Sequence, residues 1–135
     1  MKLRPATQDD LDVLWDFLAI AAYEPDGAAA KAVPFVAAHL SGWQRSGDFG
    51  FVAEIDGGAV GAAWARHIPA EDNPFHIDDR SPVVTIAVRD GARGKGVGEV
   101  AAIGVEARIE GHRGGRCSRY QASVASMTWR NASPA

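Results

Sequence analysis

The sequence predicts an α/β domain, and three observations carry that prediction. A β-branched run, Val83-Val84-Thr85-Ile86-Ala87-Val88, leads through a glycine-rich loop into Glu99-Val100-Ala101-Ala102, which can start a helix. Residues 49–55 and 59–68 read as two strands around the turn Asp56-Gly57-Gly58, the pattern of a β-hairpin. Leu11, Leu14, Trp15 and Leu18 recur at helical spacing, which argues for an amphipathic helix.

Taken in order, Lys2-Leu3-Arg4 can form a short first strand closed by Pro5. Thr7 with Asp10 three places on reads as a helix N-cap, and the helix should run to about Tyr23, where Glu24-Pro25-Asp26-Gly27 breaks it. Residues 28–33 are alanine-rich and leave helix and loop both open. Pro34 suits the first turn of a helix. Phe35, Val36, His39, Leu40 and Trp43 could share one face of that helix, which Ser46-Gly47-Asp48 should end. The hairpin follows, then a polar connection over 69–82 that holds Glu71, Asp72, His76, Asp78, Asp79 and Arg80. A connection of this length in a small domain is often functional. In the helix after the glycine loop, Val100, Ile103 and Ala107 can face a core, and Gly104 weakens it by up to ~1 kcal/mol relative to alanine.

The glycine loop holds most of the functional information. Glycines let the backbone turn tightly and bring its N–H groups against a ligand, and those groups, at the positive end of a helix dipole, favour phosphate. An ATP-type loop requires a Ser or Thr after its lysine, but Lys95 is followed by Gly96. A dinucleotide fingerprint requires G-x-G-x-x-G, but Gly94, Gly96 and Gly98 give G-x-G-x-G. Arg93-Gly94-Lys95-Gly96-Val97-Gly98 instead matches R-x-x-G-x-G. On that loop, with the strand before it and the helix after it, the sequence resembles the GNAT N-acetyltransferase superfamily from Met1 to about Ile109.

The resemblance implies a GNAT-like, mixed but mainly antiparallel sheet flanked by helices, with acetyl-CoA as co-substrate. It implies that Ile86, Ala87 and Val88 offer backbone hydrogen bonds to the pantetheine arm, and that Arg93, Gly94, Lys95, Gly96, Val97 and Gly98 hold the pyrophosphate. An edge strand suits the amide-rich arm because it presents regularly spaced donors and acceptors. An N–H aimed at the thioester oxygen would stabilise a tetrahedral oxyanion. Relatives with a glutamate base carry it at the entrance to this strand, where Val83 and Val84 stand here. The remaining candidates for a general base are Asp79, Asp78 and His76 on the preceding connection, each of which can equally be a solvated polar residue.

After about residue 110 the resemblance stops, dividing the chain into a core over 1–110 and an atypical tail over 111–135. The family's fifth strand, further helix and final hairpin have no clear counterpart; Tyr120-Gln121-Ala122-Ser123-Val124 is a poor fifth strand. Tyr120 has no surroundings that mark it as the family's tyrosine acid. The change of composition suggests a tail of different origin, such as a shifted reading frame or a truncation.

Bulk properties fit one globular domain: 135 residues, 47% hydrophobic and 23% charged. The net charge of −3 gives no support to nucleic-acid binding. Cys117 stands alone, so no intrachain disulfide can form, which fits a reducing compartment. Charges within the first ten residues and the shortness of the apolar run over 17–23 argue against a secretory leader and a membrane span, and the expected location is the cytoplasm. His76, Asp78 and Asp72 lack partners at metal-ligand spacing, so no metal is expected. Trp15, Trp43 and Trp64 sit in hydrophobic patterns and read as core or groove-lining residues, and Trp129 lies in the tail.

The expected function is acetyl transfer from acetyl-CoA to a primary amine, carried by a small molecule or a peptide, by direct attack. The acidic connection is a weak pointer to a cationic acceptor. The alternative is a non-catalytic coenzyme A-binding or dimerisation module; an incomplete sheet would favour a homodimer.

Overall fold

The computed structural model describes residues 1–73, 82–112 and 121–122. A sheet in the order β1-β2-β3-β4-β5 separates two helical layers. β1 (Lys2–Pro5) pairs antiparallel with β2 (Phe49–Ile55), β2 with β3 (Gly58–Arg66), and β3 with β4 (Val83–Val88). β5 (Gln121–Ala122) pairs parallel with Val83 and Val84. The sheet is therefore mixed but mainly antiparallel, as the resemblance implies, and β5 falls inside the stretch read as a poor fifth strand.

Local chemistry accounts for the elements. Thr7 and Asp10 form a capping box: the Thr7 amide donates to Asp10 Oδ2 (2.8 Å) and Thr7 Oγ1 accepts from the Asp9 amide (3.3 Å). A 3₁₀ turn, Gln8–Asp10, leads into α1 (Leu11–Ala21). The alanine-rich stretch resolves as α2 (Gly27–Ala32), because Asp26 caps it by accepting from the Ala29 amide at 2.9 Å. Asp56 (φ 52°) and Gly57 (φ 80°) make the two-residue hairpin turn between Ile55 and Gly58, and both positive angles suit a type I′ turn.

Two readings of the sequence need correction. The single helix expected from Pro34 onward is only α3 (Pro34–Ala37); Phe35 is half-exposed, whereas His39, Leu40 and Trp43 are buried from the turns that follow. Gly42 and Gln44, with φ of 70° and 75°, break helical geometry there. The helix after the glycine loop, α4 (Val97–His112), starts two residues earlier than expected and presents a different face. Val97, Ala101, Val105 and Ile109 are buried, while Val100, Ile103 and Ala107 are exposed. The cause is close packing at two glycines. A Cβ on Gly104 would lie 2.9 Å from Leu3 Cδ2, and one on Gly61 would lie 2.7 Å from Val97 Cγ1. Gly104 is thus a contact point of helix on sheet as well as a weak helix former.

The sheet has a core on each face, as strand alternation requires. Val52, Ala62, Trp64 and Ala87 pack under α1, α2 and the segment after α3, with Leu14, Phe17, Leu18 and Leu40. Ala63, Ala65, Val84 and Ile86 pack under α4, with Ala101, Val105 and Ile109. A third group, Ala53, Val88, Ala92 and Val97, closes the end of the sheet beneath the glycine loop. Trp15, Trp43 and Trp64 are all buried. No described helix is long and apolar enough to cross a membrane.

Candidate functional site

The site is built where β4 ends. Arg89 leaves the strand with its amide donating to the Val60 carbonyl (2.9 Å). A 3₁₀ turn follows at Asp90–Ala92, and Ala92 is buried against Ala53, Val88 and Val97. The chain then turns through 93–96, with Gly94 at φ 79° and Gly96 at φ 76°. A Cβ on either glycine would meet nothing within 4 Å. The space is open, so the requirement for glycine here is the left-handed backbone itself.

Gly96 acts as the N-cap of α4: its carbonyl accepts the Val100 amide at 3.1 Å. As glycine it has no side chain to return a bond to the first-turn amides, and among the described residues those of Val97, Gly98 and Glu99 keep the open donor character of a helix start. Gly61 brings this helix end close to the sheet through its contact with Val97. The result is a set of convergent N–H groups at the end of a 16-residue helix, beneath a turn that carries Arg93 and Lys95, both exposed. Such an arrangement binds anions. Gly98, read from the sequence as a loop glycine, lies in the first turn of α4 and is buried.

The β4 edge forms the second part. Because the Arg89 amide points to β3, alternation turns the amide and carbonyl of Ala87 toward β3 as well, and those of Ile86 and Val88 toward the opposite edge. On that edge β5 pairs with Val83 and Val84. Among the described residues no strand pairs with the edge at Ile86 and Val88, the part of β4 nearest the glycine loop. As whole residues Ile86 and Val88 are only 2% and 5% exposed, with Ile86 in the core under α4 and Val88 in the group beneath the glycine loop.

A buried polar structure holds the opposite end of β4, and the sequence reading missed it. Arg66, which pairs with Val83 in register, is 1% exposed. Its guanidinium donates from Nη2 to Asp48 Oδ2 (2.7 Å), from Nε to Asp48 Oδ1 (3.3 Å), and from Nη1 to the carbonyls of Ser41 (2.8 Å) and Ala38 (3.1 Å). Trp64 Nε1 donates to the His39 carbonyl (2.9 Å), and Arg45 Nη2 to the His67 carbonyl (2.9 Å). Segment 38–48 is thereby fastened to β3. Burial lowers the Arg66 pKa, opposed by its bonds to Asp48. Burial also lowers that of His39, whose Nδ1 lies 3.0 Å from the Val36 carbonyl. A charged residue ending an apolar strand reads as a solvated cap, so the only signal was indirect: an arginine and an aspartate flanking a hairpin.

The candidate bases His76, Asp78 and Asp79 lie outside the described residues, as do Tyr120, Cys117 and Trp129. Glu71 and Asp72, in a 3₁₀ turn at Ala70–Asp72, are exposed. Among the described residues no group of three or more His, Cys, Asp or Glu side chains is placed to hold a metal ion.

This arrangement, a glycine turn feeding a helix N-terminus beside a stretch of β4 edge that no other described strand pairs with, belongs to a recognisable class of fold. Among solved structures, the chain is similar to a GCN5-related N-acetyltransferase from Ralstonia eutropha JMP134, with a TM-score of 0.62 and 23% identity over 99% of this chain and 93% of that one. It is similar to a ribosomal-protein-alanine N-acetyltransferase from Brucella melitensis biovar Abortus 2308, with a TM-score of 0.58 and 22% identity over 100% and 91% of the two chains. It is also similar to a GNAT superfamily phosphinothricin acetyltransferase from Sinorhizobium meliloti in complex with AcCoA, with a TM-score of 0.53 and 23% identity over 79% and 58%. No protein-family model matches the sequence, and no curated protein matches it. The chain has the GNAT fold.

Proposed function

We propose that this protein binds acetyl-CoA and transfers the acetyl group to a primary amine by direct attack, without an acyl-enzyme. The observation that carries this reading is the juxtaposition at the end of β4: the glycine turn at 93–96 and the start of α4 follow directly on the strand whose outward edge carries the backbone of Val88 and Ile86. The loaded neighbour from Sinorhizobium meliloti supports acetyl-CoA as the ligand of this fold.

The chain's own residues have distinct tasks. The amides at 97–99, with Lys95 and Arg93, hold the diphosphate. The edge of Ile86 and Val88 supplies alternating donors and acceptors to the two amides of the pantetheine arm. That arm is about as long as four to five extended residues, so from the cradle it reaches back along β4 toward Val84 and Thr85. An outward amide on β4 can donate to the thioester oxygen as negative charge develops on it. The amine must arrive neutral, and Asp79, Asp78 or His76 is the proposed acceptor of its proton, directly or through one water.

The test combines binding with turnover. Calorimetric titration with acetyl-CoA should give saturable binding. A panel of primary amines, including polyamines and peptides with a free N-terminus, should give amine-dependent release of coenzyme A thiol. Binding with no thiol release for any amine would favour a non-catalytic coenzyme A module, and no binding would refute both readings.

A further inference from the structure

We propose that Asp90 is a built-in counter-ion of the anion loop, so that Lys95, and not Arg93, supplies most of the side-chain attraction for a bound diphosphate. The inference rests on the coenzyme A reading above and refines it.

Three cations stand between residues 89 and 95, and the structure treats them differently. Arg89 is bound into the fold: Nε donates to the Ala59 carbonyl at 2.9 Å, and the guanidinium lies 4.8 Å from the centre of the Phe17 ring. Arg93 is held within the loop, with Nε 3.3 Å from Asp90 Oδ1. The 3₁₀ turn at Asp90–Ala92, extended by the Arg93 amide on the Asp90 carbonyl (3.3 Å), keeps the two side chains at i,i+3 spacing. Lys95 is exposed between Gly94 and Gly96 and makes no ion pair among the described residues. An anion that takes Arg93 through its Nη groups therefore meets the Asp90 charge held beside Nε. It reaches Lys95 without that cost. The pair is well exposed, 42% at Arg93 and 92% at Asp90, so the competition is modest and salt-sensitive. A carboxylate there weakens affinity, which favours release of the spent coenzyme after each turnover.

The experiment is calorimetric titration of wild type, Asp90→Asn, Arg93→Met, Lys95→Met and Asp90→Asn/Arg93→Met with acetyl-CoA, at low and moderate salt. All three positions are solvent-facing, and far-UV circular dichroism of each variant checks the fold. Asp90→Asn should tighten Kd by roughly three- to tenfold at low salt, and less at higher salt. Lys95→Met should weaken binding more than Arg93→Met does. Replacing Arg93 should cost more in the Asp90→Asn background than in wild type, because the arginine is then released to the ligand. The proposal is overturned if Asp90→Asn leaves Kd within twofold or weakens it, or if Arg93→Met costs more than Lys95→Met. Should wild type fail to bind acetyl-CoA, the coenzyme A reading fails. Repeating the series with inorganic pyrophosphate then judges the counter-ion role by itself: the same ranking supports it, and no binding or the reverse ranking refutes it.

Discussion

Removing the Asp48 carboxylate tests whether the polar anchor at the end of β3 is as deeply buried as the structure shows. Asp48→Ala takes away the acceptor of two of the four hydrogen bonds that the Arg66 guanidinium donates among the described residues, at 2.7 and 3.3 Å, and the acceptor of the Arg45 amide at 3.0 Å. The arginine side chain is 1% exposed and the aspartate side chain 2%, so water cannot easily replace what is lost. Leaving one member of a buried pair uncompensated typically costs about 3–5 kcal/mol. Against a total stability of roughly 5–15 kcal/mol, that is a large fraction. Urea unfolding followed by tryptophan fluorescence is a suitable assay, since Trp64 and Trp43 lie in the same core. The midpoint should fall by the equivalent of at least ~3 kcal/mol. The double variant Arg66→Met/Asp48→Leu should be much less damaged than Asp48→Ala, because apolar replacement removes the unpaired charge. A loss below about 1 kcal/mol for Asp48→Ala, the range of exposed pairs, would refute the reasoning.

Other substitutions probe the cradle and the titrating groups. Gly61→Ala places a Cβ 2.7 Å from Val97 Cγ1 and should destabilise by about 1–3 kcal/mol as an overpacking change; Val97→Ala in the same chain should cost less than the two effects added, as thermal unfolding would show. A Cβ at Gly96 meets no neighbour but the residue must hold φ near 76°, so for Gly96→Ala calorimetry should show weakened acetyl-CoA binding with no more than about 2 kcal/mol lost in stability. Burial holds the His39 imidazole neutral, below its ordinary 6.5. The unfolded chain therefore takes up a proton first as pH falls, and the stabilisation present above 6.5 declines below it, by at most about 1.4 kcal/mol per pH unit. His39→Gln should show a flatter urea midpoint between pH 7.5 and 5.5 than wild type; superimposable profiles would contradict this. The hydrogen bonds from Arg4 hold Asp10 below its ordinary 3.8, so their contribution persists above 3.8 and is lost as pH falls further. Asp10→Asn should remove that acid-sensitive part of the unfolding curve.

The sequence revealed features governed by local rules. The Thr7–Asp10 cap, the limits of β2 and the strand–loop–helix order at β4 depend on residues close together in the chain and are present, as is the turn expected at Asp56-Gly57-Gly58, except that Gly58 already belongs to β3. The pattern also pointed to the glycine loop, because the φ of 79° and 76° at Gly94 and Gly96 is a property of residue type. What the pattern could not show depends on distant partners. Which face of α4 is buried follows from Gly61 and Gly104, each chosen by a neighbour on another element. Both Val100-Ile103-Ala107 and Val97-Ala101-Val105 satisfy helical spacing, so periodicity alone could not decide. Likewise Arg66 is a core residue only because Asp48 and two carbonyls of segment 38–48 surround it. The pairing of Arg93 with Asp90 lies within four residues, yet glycine spacing drew attention to the arginine as a ligand for phosphate and not to its restraint.

The central claim is that the turn at 93–96 and the first amides of α4 hold a diphosphate while the β4 edge receives the arm attached to it. Backbone amide NMR during titration with acetyl-CoA tests it most directly. The largest shifts should fall on Gly94, Gly96, Val97, Gly98 and Glu99, with a second group at Ile86 and Val88, and inorganic pyrophosphate should move only the first group. Saturating acetyl-CoA that leaves these amides unmoved, or that shifts a different face of the sheet, would contradict it.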